Sequence, residues 1–521
     1  MCSIFSIEAG LLCTSNCLSS FCIKTGTGIP RRPYNRHQNI RIGHRRHPSL
    51  SLSLCLSLLA SAPPTTSFSY LIRTASTHVW HKVYIYVSQG AKYTYSSSHH
   101  LDTQSSFPSP YNLVIPTMAT AAAAAALPAT QRAVVMTGKR QPLAAAEAPV
   151  FAPQPGEVVV RVAWTASTPL DLHRADGGLL VPSWPAQTGG GGVAGTVVAL
   201  GGCGAGDGAN DGDNSAPAAL LLKGLRVGDR VMAFAFRGAK EANHQEYITI
   251  PAYLAGRIPD GLSLREACTV PVNLVTVFHT ATADLELELP WPVPSRADWR
   301  PAAADAPVLV WGASSSVGIY AVQVLRHWGY RRILAVSSGR HHEYLRRVGA
   351  TACFDYTKPE DVVSSILTYV GERGADGEGS AKEGPQIPYI LDCIGSLDGT
   401  LRPLTSIAQR GSRVAVMLPV ILKDATEDDE PEYEMDVTKC LPDKWAEGVI
   451  LRGTRTHFYL QNEFFKERLQ PEIIPALLAN KIIEPNKQRV VEGADMVERA
   501  QNALSLLRSK AVSGERLVWK V

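Results

Sequence analysis

The chain has 521 residues, of which 45% are hydrophobic and 19% charged, and its formal net charge is +4. This composition is typical of a globular protein of two or three domains, and it excludes whole-chain disorder and a fibrous repeat. Because the charge is nearly balanced and no run of about 18 apolar residues occurs, neither a nucleic-acid-binding surface nor a membrane-spanning helix is predicted.

Residues 1–117 differ in character from the rest of the chain. They contain ten Lys or Arg and two acidic residues, whereas the other 404 residues contain 41 basic and 45 acidic ones. Ser49–Ala62 is similar to the apolar core of a secretory signal, but it lies about fifty residues from Met1. We expect a disordered or non-native leader, with the functional protein starting near Met118. An organelle transit peptide and a functional arm are the alternatives.

The ten cysteines show neither the spacing of a zinc finger nor that of a disulfide framework. Cysteines without such a framework indicate a reducing compartment. We therefore expect a cytoplasmic protein, with a mitochondrial location as the alternative.

Short strands separated by turns dominate the first part of the remaining chain. Glu157–Trp164 and Gly189–Leu200 are valine-rich strands, and Gly228–Phe234 is a tight turn that leads into a strand. Gly201–Ala219 is rich in Gly, Asp and Asn and predicts a loop. Together these segments predict a mostly β domain.

Strands and helices alternate from Ala306 onward, after a helix that opens with a capping box at Ser263 and Glu266. The predicted elements are, in chain order, Val308–Trp311, Val317–His327, Ile333–Val336, Glu343–Val348, Cys353–Asp355, Pro359–Val370, Tyr389–Cys393 and Arg413–Met417. Alternating strands and helices of this kind imply a parallel, doubly wound sheet.

Four later segments complete the predicted elements. Gly371–Gln386 and the acidic run Asp424–Asp436, which has eight acids among 13 residues, predict surface loops. A helix at Met496–Ser509 and a strand at Arg516–Val521 end the chain. Since this last strand has no obvious place in the parallel sheet, we expect it to return to the first domain.

The segment Val308–Gln323 carries the clearest chemical motif. A strand ends at a sharp turn that Gly312 permits, and a helix follows in which Gly318 allows close packing against the strand. Free backbone N–H groups at such a helix N-terminus favour a pyrophosphate. Serines replace the usual central glycine, but the surrounding strand and helix units predict a dinucleotide site rather than a plain turn. Its residues are Gly312, Ser314, Ser315, Ser316, Val317 and Gly318.

The second strand of this region ends without an acidic residue, at Ala335–His341. An acid there would bond the ribose 2′-hydroxyl of NAD, whereas Ser338 and Arg340 suit a 2′-phosphate. Tyr356, just past the third strand, is placed to cover the adenine ribose. NADPH is therefore the predicted cofactor. The alternative is that Arg340 merely faces solvent.

These features together resemble the medium-chain dehydrogenase/reductase superfamily, in its zinc-free quinone-oxidoreductase and enoyl-reductase branch. Trp311–Gly318 is particularly similar to fungal members, including trans-acting enoyl reductases of polyketide pathways. The resemblance covers about Gln131–Val521. Its other matching segments are Gly228-Asp-Arg-Val231, Gln245-Glu-Tyr247, Ile258-Pro-Asp-Gly261, Gly349-Ala350 and Val512–Val518.

The resemblance implies an α/β protein in which a GroES-like, mostly β catalytic domain and a Rossmann domain with a doubly wound parallel sheet enclose a cleft. We expect the leader at 1–117 and the first part of the catalytic domain at 118–270. The Rossmann NADP-binding domain is expected at 271–430, and a hinge and the return to the catalytic domain at 431–521.

The resemblance also provides a test for zinc. Zinc-dependent relatives place a Cys early in the first domain, and a His and a Glu before a Gly-x-Val strand. Here Val162–Asp171 contains no Cys, and Gly191 and Gly192 stand at the His and Glu positions. Because a protein-bound zinc needs three or four donors, no catalytic or structural metal is expected.

Two candidate catalytic residues follow from the resemblance. His173 lies where relatives have an aromatic residue or Lys after Asn-Pro-x-Asp, and it is a candidate to donate a proton or bind substrate. The alternative is a surface or packing histidine. Thr276 matches a position near the nicotinamide; otherwise it is an ordinary helix residue. Some mitochondrial enoyl reductases have a catalytic Tyr a few residues later, and Leu180 stands nearest to that position here. Because leucine cannot donate a proton, this difference argues against a role in mitochondrial fatty-acid synthesis.

The sequence thus predicts an NADPH-dependent enzyme that reduces an enone, an enoyl thioester or a quinone by hydride transfer. We expect a small-molecule substrate, no nucleic-acid or membrane partner, and a monomer or homodimer. The alternative is a non-catalytic NADPH-binding protein, sensor-like or crystallin-like, because a fold does not fix a function. A zinc alcohol dehydrogenase is disfavoured by the missing ligands.

Overall fold

A computed structural model describes residues 127–187, 189–202, 220–296, 298–375 and 384–521, together with two strands nearer the N-terminus. The chain divides into two units, Met1–Met118 and Ala119–Val521. In the first unit, β1 (Ser67–Arg73) and β2 (Trp80–Tyr86) pair antiparallel. The predicted signal-like segment and most of the predicted loop at 201–219 lie outside the described residues.

The second unit contains two large sheets. Its strands are β3 (Thr130–Met136), β4 (Leu143–Pro149), β5 (Glu157–Ala166), β6 (Ala186–Gln187), β7 (Gly191–Leu200), β8 (Arg230–Ala235), β9 (Tyr247–Pro251), β10 (Ala255–Arg257), β11 (Pro307–Trp311), β12 (Arg332–Ser337), β13 (Ala352–Asp355), β14 (Tyr389–Asp392), β15 (Arg413–Met417), β16 (Val420–Lys423), β17 (Glu432–Glu434), β18 (Ile450–Thr454), β19 (Gln488–Val490) and β20 (Arg516–Lys520).

Helices connect these strands. The α-helices are α1 (Pro169–Gly177), α2 (Leu264–Ala267), α3 (Pro271–His279), α4 (Ser316–His327), α5 (His342–Val348), α6 (Pro359–Ala375), α7 (Arg402–Thr405), α8 (Glu463–Arg468), α9 (Ile474–Ala479) and α10 (Met496–Arg508). A π-helical segment, Thr280–Asp284, extends α3. Within the described residues, no helix is long and apolar enough to cross a membrane.

Side-chain caps explain where several helices begin. Thr168 caps α1, and the Asp171 carboxylate accepts a hydrogen bond of 2.7 Å from the Thr168 backbone N–H. Ser263 and Glu266 form the predicted capping box at α2. Each cap supplies a partner to backbone N–H groups that would otherwise have none in the first turn.

A six-stranded parallel sheet has the order β13-β12-β11-β14-β15-β18. The strand order reverses between β11 and β14, as in a doubly wound fold. The predicted α/β fold class is therefore confirmed. The sheet continues to Thr454, beyond residue 430, at which the sequence placed the end of the Rossmann domain.

The other large sheet is mostly antiparallel and has seven strands, in the order β10-β8-β7-β5-β20-β19 with β9 also paired to β5. The last strand, β20, pairs with β5 as well as with β19. Trp519 on β20 is fully buried, and its indole N–H donates a 3.0 Å hydrogen bond to Ser167 Oγ. The chain thus returns to its first domain, as the sequence predicted for this strand.

A single core joins the two sheets of the second unit. Val193 on β7, Phe278 on α3 and Val322 on α4 belong to one buried hydrophobic cluster. Helix α3 therefore packs against both domains.

The acidic run Asp424–Asp436 corrects a prediction of the sequence. It is not simply a solvated loop, because β17 lies within it and pairs antiparallel with β16. The resulting hairpin, residues 420–434, is called the acidic hairpin here. It forms ion pairs with basic residues that are distant in sequence, such as Lys139 with Glu430 and Lys510 with Asp424. The other predicted loop begins later than expected, because α6 extends to Ala375.

Candidate functional site

The crevice at the reversal of strand order is formed by the segments after β11 and β14. Gly312 follows β11 and has φ of +74°, which favours glycine. A Cβ at this position would lie 2.6 Å from Ile394 Cγ1, in the segment after β14. Both the backbone conformation and this close approach therefore require glycine at position 312.

The first turn of α4 packs against the same turn. A Cβ on Gly318 would lie 2.5 Å from the Gly312 carbonyl oxygen and 2.6 Å from Ala313 Cα. Ser315 caps the helix, and its Oγ accepts a hydrogen bond of 3.1 Å from Gly318 N. The half-buried residues 314–317 lie at the helix N-terminus, where backbone N–H groups can hold an anion. We call Gly312–Gly318 the dinucleotide cradle.

A buried carboxylate holds the segment that faces the cradle. Asp392 at the end of β14 accepts hydrogen bonds from the backbone of Ile394 (3.0 Å) and Gly395 (3.2 Å) and from Thr400 Oγ1 (2.5 Å). Burial raises the pKa of Asp392 to about 6. The sequence did not indicate a role for Asp392, although an Asp three positions before a Gly at a strand end is a sign of a tight turn.

The residues proposed for a 2′-phosphate lie at the neighbouring strand ends. The Ser338 Oγ is buried and has no hydrogen-bond partner among the described residues, whereas Arg340 is exposed and Tyr356 is 44% exposed. Because β12 and β13 are adjacent, these three side chains follow neighbouring strands. Asp355 also ends β13, and its carboxylate accepts hydrogen bonds from Thr357 N (3.0 Å) and Oγ1 (2.8 Å).

Thr276 on α3 is buried beside the end of β18. Its hydroxyl donates to the Val272 carbonyl at 2.8 Å and lies 2.9 Å from Thr456 Oγ1. Eight residues further along the chain, at the end of the π-helical segment, Asp284 accepts a hydrogen bond of 2.8 Å from Thr454 Oγ1. Burial raises the pKa of Asp284. The sequence did not indicate this threonine and carboxylate group, because its members come from two distant segments.

His173 on α1 contacts the acidic hairpin. Its Nδ1 lies 2.9 Å from the Tyr433 hydroxyl, and the two ring centroids are 4.9 Å apart. Burial lowers the pKa of His173 to about 4, so the imidazole is neutral near pH 7. A neutral imidazole still has one N–H to offer to a ligand, but it is a poor proton donor.

The two glycines at the zinc-ligand positions are held by close contacts. A Cβ on Gly191 would overlap the Asn243 side-chain amide, and one on Gly192 would overlap the Cys268 carbonyl oxygen. Side chains large enough to bind a metal therefore do not fit at either position without movement of their neighbours. Over the described ranges, no group of three or more His, Cys, Asp or Glu residues is arranged to hold a metal ion.

Comparison with known proteins places this architecture in a family. Residues 154–279 match the alcohol dehydrogenase GroES-like domain. The trans-enoyl reductase tazE of Aspergillus terreus is 34% identical over 272 residues, covering 51% of this chain and 77% of that protein. The dehydrogenase orsE of Emericella nidulans is 30% identical, covering 48% of this chain and 69% of that protein.

The chain belongs to the medium-chain dehydrogenase/reductase superfamily. Its relatives place it in the quinone-oxidoreductase and enoyl-reductase branch, as the sequence resemblance indicated.

Solved structures of other superfamily members share the fold. The quinone oxidoreductase of Escherichia coli, solved as a complex with NADPH, has a TM-score of 0.52 at 17% identity and covers 75% of this chain and 100% of its own. An alcohol dehydrogenase superfamily protein from Novosphingobium aromaticivorans has the same TM-score at 22% identity, with the same coverage. At these identities the likeness shows the fold alone.

Proposed function

We propose that this superfamily member uses NADPH to reduce a polarised carbon–carbon double bond, in an enone or an enoyl thioester, or to reduce a quinone. The observation that carries the proposal is the dinucleotide cradle, in which added Cβ atoms at Gly312 and Gly318 would meet neighbouring atoms at 2.5–2.6 Å. Two further facts support it: relatives bear the name trans-enoyl reductase, and a protein of the same fold was solved with NADPH.

The residues present fit the cofactor. The cradle offers backbone N–H groups to the diphosphate, and the unpartnered Ser338 Oγ with the Arg340 guanidinium offers donors to the 2′-phosphate. Tyr356 would cover the adenine ribose, and Thr276 would lie beside the nicotinamide. When bound, NADPH would supply the hydride, while the protein orients the substrate and excludes water.

We further propose that the reaction proceeds without zinc. A zinc ion acts as a Lewis acid on an alcohol or ketone oxygen. A conjugated acceptor needs less help, since hydrogen bonds to the developing enolate stabilise its delocalised charge. The close contacts at Gly191 and Gly192 leave no space for ligands at the two positions that zinc-dependent relatives use.

A screen of NADPH oxidation with enones, quinones and enoyl thioesters tests this function, with NADP⁺ and simple alcohols as the comparison. We expect turnover with at least one conjugated acceptor, none with alcohols, and less than stoichiometric zinc by elemental analysis after dialysis. Oxidation of simple alcohols without activity on any conjugated acceptor would refute the proposal. Tight NADPH binding with no turnover would support the non-catalytic alternative instead.

A monomer or homodimer and a cytoplasmic location stay predictions from the sequence.

A further inference from the structure

The acidic hairpin follows the parallel sheet in the chain and brings Tyr433 to the first domain. It starts just after β15, where Ile421 N donates a hydrogen bond of 2.6 Å to the Gly395 carbonyl, beside the segment that packs on Gly312. Tyr433 is the partner of Ile421 in the hairpin register. Tyr433 is therefore one strand away from the wall of the dinucleotide cradle.

The Tyr433 ring packs directly on α1. A Cβ on Gly177 would overlap the ring, and it would lie 3.2 Å from Pro431 Cγ of the same hairpin. From this position the phenol oxygen lies 2.9 Å from His173 Nδ1. Within the described residues, the His173 ring has no second hydrogen-bond partner. The imidazole of the first domain is thus held by one phenol of the second.

Charged contacts fix the hairpin on the first domain. Lys139 pairs with Glu430 at 2.5 Å, and Lys510 pairs with Asp424 at 2.6 Å. Arg140 donates to the backbone carbonyls of the hairpin, including that of Thr426 at 3.1 Å. The Tyr433–His173 contact is therefore part of an extended interface rather than an isolated approach of two side chains.

The protonation of the pair is set by burial. It lowers the pKa of His173 to about 4, against the opposite and smaller effects of Asp424 and Asp176, and it raises the pKa of Tyr433. The phenol therefore keeps its hydrogen and the imidazole takes up no extra proton near neutral pH. In such a pair the phenol is the natural donor, and the ring nitrogen that it faces is the acceptor.

We propose that Tyr433 is a positioning residue for the reaction proposed above: its hydroxyl donates to His173 Nδ1 and thereby keeps the ring hydrogen on Nε2, where it can bond the substrate's carbonyl oxygen. This inference rests on the proposed function. Hydride reaches the β-carbon, the electron pair of the double bond moves toward the carbonyl oxygen, and that oxygen accepts the hydrogen bond from Nε2. Solvent supplies the proton at the α-carbon, and His173 loses none.

Kinetics of paired variants test the proposal. Tyr433→Phe keeps the packed ring and should lower kcat for an enoyl or enone substrate roughly 2- to 10-fold, the range of one hydrogen bond, with the NADPH dissociation constant unchanged. His173→Gln retains an N–H donor and should lose less activity than His173→Ala. Tyr389→Phe, at the opposite end of the parallel sheet, is the matched control and should be neutral.

A double variant separates positioning from independent roles. If Tyr433 acts through His173, adding Tyr433→Phe to His173→Ala should cause no further loss of kcat. The proposal is wrong if the fold-decrease of kcat in the double variant equals the product of the two single decreases. It is also wrong if kcat is unchanged in Tyr433→Phe.

Nitrogen-15 NMR of the histidine rings gives a readout that does not need turnover. We expect the hydrogen of His173 on Nε2 at pH 7 in the wild-type protein and a tautomer mixture in Tyr433→Phe. A wild-type ring with its hydrogen on Nδ1 would contradict the assignment. If the wild-type protein reduces no acceptor, the proposed function fails, and the spectra alone then decide whether Tyr433 positions His173.

Discussion

Two glycines of the dinucleotide cradle make the sharpest prediction at the scale of single residues. Gly312→Val adds a side chain at φ of +74° against Ile394, and Gly318→Val forces one against the Gly312 carbonyl. Each variant should weaken NADPH binding at least tenfold, measured by fluorescence titration. Gly371→Ala, in an exposed part of α6 with no neighbour within 4 Å, is the control and should bind normally. Wild-type affinity in both cradle variants would mean that the cofactor binds elsewhere.

The proposed preference for NADPH also depends on one side chain. Arg340 is exposed beside the unpartnered Ser338 Oγ, so its charge is available to a 2′-phosphate. Because a charge-assisted contact is worth about 1.5–3 kcal/mol, Arg340→Glu should weaken NADPH roughly tenfold or more and leave NADH nearly unchanged. Arg331→Glu, before β12 at the other end of the strand, serves as the control. Equal losses for both cofactors would refute the assignment.

The neutral state of His173 has a consequence for stability. Its pKa is about 4 in the folded protein and near the ordinary value of 6.5 when unfolded. Between these pH values the unfolded chain binds more protons, so the contribution of His173 to stability is present above pH 6.5 and is lost as pH falls toward 4. In His173→Gln the free energy of unfolding should decrease less steeply as pH falls, by about 1 kcal/mol per pH unit. Urea unfolding at pH 7 and pH 5 measures this difference. An unchanged slope would show that the ring is hydrated and charged.

At the scale of elements, the last helix is tied to the first by a buried ion pair. Arg508 on α10 donates to both carboxylate oxygens of Asp176 on α1 at 2.7 and 2.8 Å, and Asp176 is 1% exposed. Arg508→Ala leaves that carboxylate buried without its partner and should cost about 3–5 kcal/mol of unfolding free energy. Arg402→Ala removes an exposed pair with Asp398 on the same helical turn and should cost less than about 1 kcal/mol. If chemical denaturation shows that the two variants lose equal unfolding free energy, the predicted effect of burial is wrong.

The acidic hairpin shows how charge patterns can mislead at this scale. A run of eight acids predicts a solvated face, and most exposed ion pairs contribute little to stability. Here β16 and β17 are nevertheless ordered against the first domain, because basic residues from β3–β4 and from the end of α10 surround the run. The hairpin therefore links the parallel sheet to the first domain, and it carries Tyr433, which contacts His173.

At the scale of the whole molecule, the unit Ala119–Val521 contains both large sheets and the cradle. Among the residues whose burial the structure describes, the core clusters lie in this unit. A chain that starts at Met118 should therefore unfold at the same temperature and bind NADPH as well as the full chain, measured by calorimetry and fluorescence titration. A truncated chain that fails to fold would show that the first 117 residues contribute to the structure.

The sequence by itself determined the features that are encoded locally. The alternation of strands and helices after Ala306, the capping box at Ser263 and the small-residue turn at Gly312–Gly318 depend on neighbours within a few residues. These were enough to predict the parallel sheet, which the structure confirms, and to propose a dinucleotide site at Gly312–Gly318. The tertiary structure alone decided how distant segments meet. It placed Asp392 under the segment that faces Gly312, and it brought Tyr433 to His173 across 260 positions. Such contacts leave no periodic trace in the sequence, because burial and pairing between remote residues arise only when the chain packs.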